Sequence, residues 1–153
     1  MRVFVDANVL LDVILKRELF YKESKEFLDL CSKRKTALAP HTVTNVFYQM
    51  REKFKEPDRK PILLEILSYM DVVTTGKHHI IKALSNGDID DFEDAFQLEC
   101  AREYNADCIV TRDFENFVGS EINTMTPGEF LKKHGREFAA DDGMKTLANE
   151  GGK

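Results

Sequence analysis

Cysteine is scarce in this chain. Cys31, Cys100 and Cys108 are three in 153 residues and form no CxxC pair. This argues against a disulfide framework and for a reducing, cytoplasmic compartment. Basic charge is not in excess either. The formal net charge is -5, so the chain lacks the global positive field of many passive nucleic-acid binders. That weighs less against a metal nuclease, where bound cations cancel acids locally. Long hydrophobic runs are missing: Asp6 and Asp12 interrupt the apolar N-terminal segment, which argues against a signal peptide or a membrane span. No Gly-rich phosphate loop, internal repeat or interdomain linker stands out.

What is present is the composition of a globular domain, 42% hydrophobic and 32% charged, and a length sufficient for one core. Residues 2–5 are continuously apolar, as a strand covered on both faces would be. Val9, Leu10, Val13 and Ile14 then fall at helical spacing. Further helices are predicted over residues 20–33, 42–55 with Thr42 as N-cap, 59–70, 76–85, 91–104 and 127–134. Pro57 reads as a break, and Pro61 as tolerated in a first turn. Strands are predicted at 36–39, 71–74, 108–110 and 122–124. Strands alternating with helices imply βαβ units, a parallel sheet and helices on both faces. Residues 1–134 read as the domain and 135–153 as a polar tail that frays.

Acids recur at informative places. Asp6 ends the first strand and Asp113 follows the fourth, at the carboxyl edge where open α/β sheets bind ligands. Asp91 and Asp94 share one helix face with Ala95, Leu98 and Ala101, so both carboxylates are expected to point towards the body of the protein. Helix capping explains any one of these acids, because first-turn acids favour the helix dipole by roughly 0.3–1 kcal/mol each. Gathered together they repel: two carboxylates about 4 Å apart cost roughly 4 kcal/mol at an effective dielectric near 20. Hard divalent cations offset such a cluster, and Mg²⁺ meets phosphate groups.

The run Val3-Phe4-Val5-Asp6-Ala7-Asn8-Val9-Leu10-Leu11-Asp12 resembles the opening motif of PIN domains. Asp91-Phe92-Glu93-Asp94-Ala95 is similar to their third motif, Val110-Thr111-Arg112-Asp113-Phe114-Glu115-Asn116-Phe117 to their fourth, and Thr126-Pro127-Gly128-Glu129-Phe130-Leu131 to their usual last helix. The resemblance runs from residue 1 to about residue 134. It implies a three-layer α/β/α sandwich with a central parallel sheet of four to five strands. It implies a Mg²⁺- or Mn²⁺-dependent ribonuclease, commonly the toxin of a toxin–antitoxin pair, dimeric and held inactive by a small antitoxin. Asp6, Asp94 and Asp113 match the metal-binding acids and Asp91 an additional acid. Asn8, Asn45, Thr111 and Asn116 match supporting positions. Two departures stand out. Asn45 occupies a place where many PIN domains carry Glu, as in a sub-branch of toxin-like members. In the fourth motif the acid and the amide, Asp113 and Asn116, are exchanged.

Other assignments weigh less. His78 and His79 have no acid or Cys at ligand spacing and read as surface or packing residues. His41, near the supposed site, is a minor candidate for touching RNA. Lys33-Arg34-Lys35 reads as a solvated loop, Phe114 as core, and Tyr48 as a possible stacking residue. A haloacid-type phosphatase wants a second acid where Asn8 stands, and a receiver domain wants an acid where Pro40 ends a strand, so neither fits. A non-catalytic RNA-binding or regulatory domain, and a protein-interaction module, remain as alternatives to the nuclease.

Overall fold

The computed structural model describes residues 1–150; residues 151–153 of the expected tail lie outside the described residues. Five parallel strands form one sheet in the order β3-β2-β1-β4-β5, with β1 Val3–Val5, β2 Thr36–Leu38, β3 Asp71–Val72, β4 Cys108–Val110 and β5 Asn123–Met125. The helices between them are α1 Ala7–Ile14, α2 Tyr21–Asp29, α3 Pro40–Gln49, α4 Glu56–Tyr69, α5 Lys77–Leu84, α6 Phe92–Glu103 and α7 Pro127–Glu150. This is the α/β architecture expected from the sequence.

Strand alternation divides the core in two. Val3, Val5, Leu38, Cys108, Val110 and Met125 face one side, where α1, α2, α3, α4 and α7 cover them with Leu10, Phe27, Val46, Ile66 and Phe130. Phe4, Ala37 and Ile109 face the other side, against Leu98 and Ala101 of α6, with α5 packed on α6. Asn105 takes φ 54 after α6, a left-handed turn that asparagine tolerates, and delivers the chain into β4.

Several local expectations change. Helix α3 begins at Pro40 with Ala39 as its cap residue, so Thr42 lies inside the helix rather than capping it. Proline at a first helical position loses nothing, since that amide has no partner. Pro57 likewise opens α4 instead of breaking the chain, and Pro61 falls beyond the first turn. Lys35 is buried, not solvated: its ammonium donates to the Phe138 carbonyl and lies over the Phe138 ring. Phe114 is 49% exposed rather than core. Helix α7 continues well past residue 134. Phe138, 1% exposed, meets Phe130 edge-on at 5.1 Å. One aromatic two turns further along the same face extends packing into a stretch whose overall composition is polar.

Candidate functional site

The chain winds from β1 outward through β2 to β3, then crosses back to place β4 on the other flank of β1. A crevice opens at the carboxyl ends of strands where winding reverses in this way. Val5 and Val110 are register partners in β1 and β4. The next residues, Asp6 and Thr111, are therefore neighbours although distant in sequence. The Thr111 hydroxyl donates to Asp6 Oδ2 at 2.7 Å.

Asp6 is only 7% exposed and its burial is offset by four donors. Oδ1 accepts the Ala7 amide at 2.6 Å, which makes Asp6 the cap of α1, and Gln97 Nε2 at 2.7 Å. Oδ2 accepts Thr111 Oγ1 and, at 3.2 Å, Asn8 Nδ2. Asn8 Nδ2 also lies 3.1 Å from Thr111 Oγ1 and 3.2 Å from Asp113 Oδ2. With two hydrogens and three acceptors, that amide ties the first-strand acid to the fourth-motif acid. Asn8 Oδ1 accepts the Arg112 amide at 3.2 Å, and Thr111 Oγ1 accepts the Asp113 amide at 3.0 Å.

Helix α6 brings the remaining acids. Asp91 is its cap residue, accepting the Asp94 amide at 3.0 Å. Asp91 is exposed, contrary to the expectation that it points inward, because the cap residue stands at the open end of the helix. Asp94 is half-buried. Burial, then the negative charges of Asp91, Asp6, Glu93 and Asp113, push its carboxyl up from 3.8 to about 6. Among the described residues no donor meets Asp94 to offset this.

Asp6, Asn8, Asn45, Asp91, Asp94, Asp113 and Asn116 all line one open cleft of about 420 Å³. Thr111 is fully buried and bonds to residues that line it. Asp113 and Asn116 reach the same cleft, so their exchange keeps an acid and an amide there. Asn45 has both ends of its amide engaged: Nδ2 donates to Glu93 Oε1 at 2.9 Å, and Oδ1 accepts Gln49 Nε2 at 2.5 Å. The carboxylate at that wall comes from Glu93.

Sequence reasoning missed Gln97, Glu93 and the two arginines of the cleft, Arg17 and Arg112. Gln97 carried a signal. It is an amide three residues after Asp94, on a helix whose following residues are buried, and its Oε1 is buried without a partner among the described residues.

The histidines stand apart. His41 packs on Phe96 with ring centroids 5.0 Å apart, and burial lowers its pKa against the opposing pull of Glu93 and Asp6. His78, His79 and Glu103 bring possible ligand atoms within 4.8 Å of one another, so an acid does approach the pair. None of the three lines the cleft. His79 Nδ1 accepts the Gly76 amide at 2.9 Å, which leaves the proton on Nε2 for Glu103 Oε2 at 3.0 Å. With both nitrogens committed, His79 has no lone pair for a cation.

Residues 2–115 match the family model described as PIN domain. The chain belongs to the PIN-domain family. Ribonuclease VapC1 from Aquifex aeolicus (strain VF5) is 27% identical over 138 residues, covering 86% of this chain and 94% of that protein. Among solved structures, a toxin–antitoxin complex from Klebsiella pneumoniae superposes with a TM-score of 0.63 at 19% identity, over 83% of this chain and 98% of the other. VapC20 from Mycobacterium tuberculosis, a sarcin-ricin loop cleaving toxin, gives 0.59 at 15% identity, over 79% and 98%. At such identities these structures establish a common fold, the three-layer PIN sandwich.

Proposed function

We propose that this PIN-domain protein is a Mg²⁺- or Mn²⁺-dependent endoribonuclease, the toxin of a toxin–antitoxin pair. The observation that carries the reading is the cleft where Asp6, Asp91, Asp94 and Asp113 meet and Asp94 is pushed up to about 6. Among the described residues no Lys or Arg is paired with these four acids, and a fold that gathers so much unpaired negative charge is built to receive a cation. The donor set is all oxygen, which suits a hard divalent ion. Asp6, Asp94 and Asp113, with Asp91 beside them, would hold it. A divalent ion bound there supplies positive charge for phosphate oxygens and lowers the pKa of a water that attacks phosphorus.

The chain's own groups prepare the site. Thr111, Gln97, Asn8 and the Ala7 amide hold Asp6 in one orientation. Asn8 keeps Asp113 in register with it. Asn45 and Gln49 steady Glu93 at the facing wall. Such outer partners orient ligating carboxylates, and losing one typically costs about 10–100-fold in metal affinity or activity.

The family relatives named above support an antitoxin partner, and the resemblance read from the sequence supports RNA as substrate and a homodimer as the working form. Cys31, Cys100 and Cys108 are free and buried, as a reducing cytoplasm would leave them. Among the described residues no helix is long and apolar enough to cross a membrane. The test is cleavage of a labelled RNA in Mn²⁺ by the purified protein and by Asp6→Ala. The wild type cuts, and the variant does not. Cutting that survives Asp6→Ala or excess EDTA would refute the proposal, and salt-dependent RNA binding without turnover in any divalent metal would favour the non-catalytic alternative.

A further inference from the structure

A strand of RNA carries a negative charge at every phosphate, yet the cleft is lined mostly by acids. Two cations line it as well, Arg17 and Arg112. Both reach back to one carboxylate. Asp12 on α1 is fully buried, and Arg112 Nε donates to its Oδ2 at 2.7 Å. Ser24 on α2 donates to the same oxygen at 3.0 Å. Arg17 Nη1 lies 3.6 Å from Asp12 Oδ1, beyond hydrogen-bond length, and that oxygen has no hydrogen-bond partner among the described residues.

One guanidinium suffices to neutralise one carboxylate. The second leaves this wall of the cleft with a net positive charge. Arg112 spends only its Nε on Asp12, and its guanidinium rests over the Phe20 ring at 3.9 Å from the centroid, which holds the planar fork still. Its backbone amide donates to Asn8, the residue that links Asp6 to Asp113. The fork is thus held in register with the acids.

We propose that Asp12, Arg112 and Arg17 form a phosphate-gripping wall. Asp12 anchors the wall from below, while the two guanidiniums bind backbone phosphates flanking the scissile one and lay the strand across the acids. Arg17 and Arg112 are positioning residues that read charge and spacing rather than bases. This inference rests on the nuclease reading and names how that site takes its substrate.

The test measures binding of a fluorescently labelled, mixed-sequence single-stranded RNA to the full chain in Ca²⁺ across a salt series, with RNA integrity checked on a gel, alongside cleavage kinetics in Mn²⁺. Arg17→Ala removes a half-buried cation and is expected to flatten the slope of log K against log salt by about 0.7. The same change raises KM by roughly fivefold and leaves kcat within about twofold. Arg112→Lys keeps the ion pair with Asp12, and so the fold, but loses the fork. It is expected to weaken binding by roughly fivefold with little change of slope. A wild-type slope and KM in Arg17→Ala, together with wild-type affinity in Arg112→Lys, would overturn the phosphate wall even if the protein cuts RNA. A flattened slope in Arg17→Ala with no cleavage by the wild type would sustain the wall and sink the nuclease instead.

Discussion

Replacing Asp94 with Asn should stabilise the metal-free protein at neutral pH while destroying its activity. Asp94 is half-buried among Asp91, Asp6, Glu93 and Asp113, and its carboxyl is pushed up from 3.8 to about 6. At full weight that move is worth about 3 kcal/mol of destabilisation when the group is charged. Water still reaches the side chain, so about 1–2 kcal/mol is the realistic cost. Asn keeps the shape and removes the charge. In EDTA at pH 7.5 the melting temperature of Asp94→Asn should therefore exceed that of the wild type by about 2–8 °C. The sign of the pH dependence follows from linkage. A carboxyl that is raised on folding favours the native state when protonated, so its contribution is present below its ordinary value of 3.8 and is lost as pH rises through about 6. The advantage of Asp94→Asn should shrink as pH falls from 7.5 towards 5. Adding Mn²⁺ should raise the wild-type melting temperature and reverse the ranking, because the variant has lost a ligand. Differential scanning fluorimetry over pH, with and without Mn²⁺, measures all three effects. A variant that melts below the wild type in EDTA at pH 7.5, or a difference independent of pH, would refute the account of the acid cluster.

Gln97→Leu removes a 2.7 Å donor from buried Asp6. It should cost about 1.5–3 kcal/mol in urea unfolding and about 10–100-fold in Mn²⁺ affinity by calorimetry; wild-type values for both would show that Gln97 is passive filling. Asn45→Asp sets a second carboxylate against Glu93. In EDTA it should lower stability by about 1 kcal/mol, and the gain in melting temperature on adding Mn²⁺ should exceed that of the wild type. Phe138→Ala opens a cavity beside Phe130 and should cost about 3–5 kcal/mol of unfolding free energy, read as a lowered urea midpoint. Truncation after residue 134 should do at least as much harm, and an undiminished midpoint would mean that α7 adds nothing to the core beyond that point.

The fold was legible because its signals are local. Val3-Phe4-Val5 and Cys108-Ile109-Val110 are short apolar runs closed by polar residues, and the helices between them carry apolar stripes. Parallel pairing then follows from alternation. Asp6, Asp94 and Asp113 were legible as candidates for the same reason, each standing at a strand or helix end. Errors arose where one residue outweighed its neighbourhood. Lys35 and Phe138 lie in polar stretches and bury each other, whereas Phe114 looks like core and lies on a surface turn.

By itself the sequence determined the order of strands and helices and the carboxylates at their ends, since both depend on residues a few positions apart. Only the tertiary structure decided which distant groups serve those carboxylates. Gln97 and Thr111 bond to Asp6, and Arg112 to Asp12, across separations of about a hundred residues. Those meetings exist because β4 returns to pair with β1 and α6 packs over that junction. Hydrogen bonds need approach within about 3 Å, and nothing in a linear pattern encodes which side chains the sheet will bring that close.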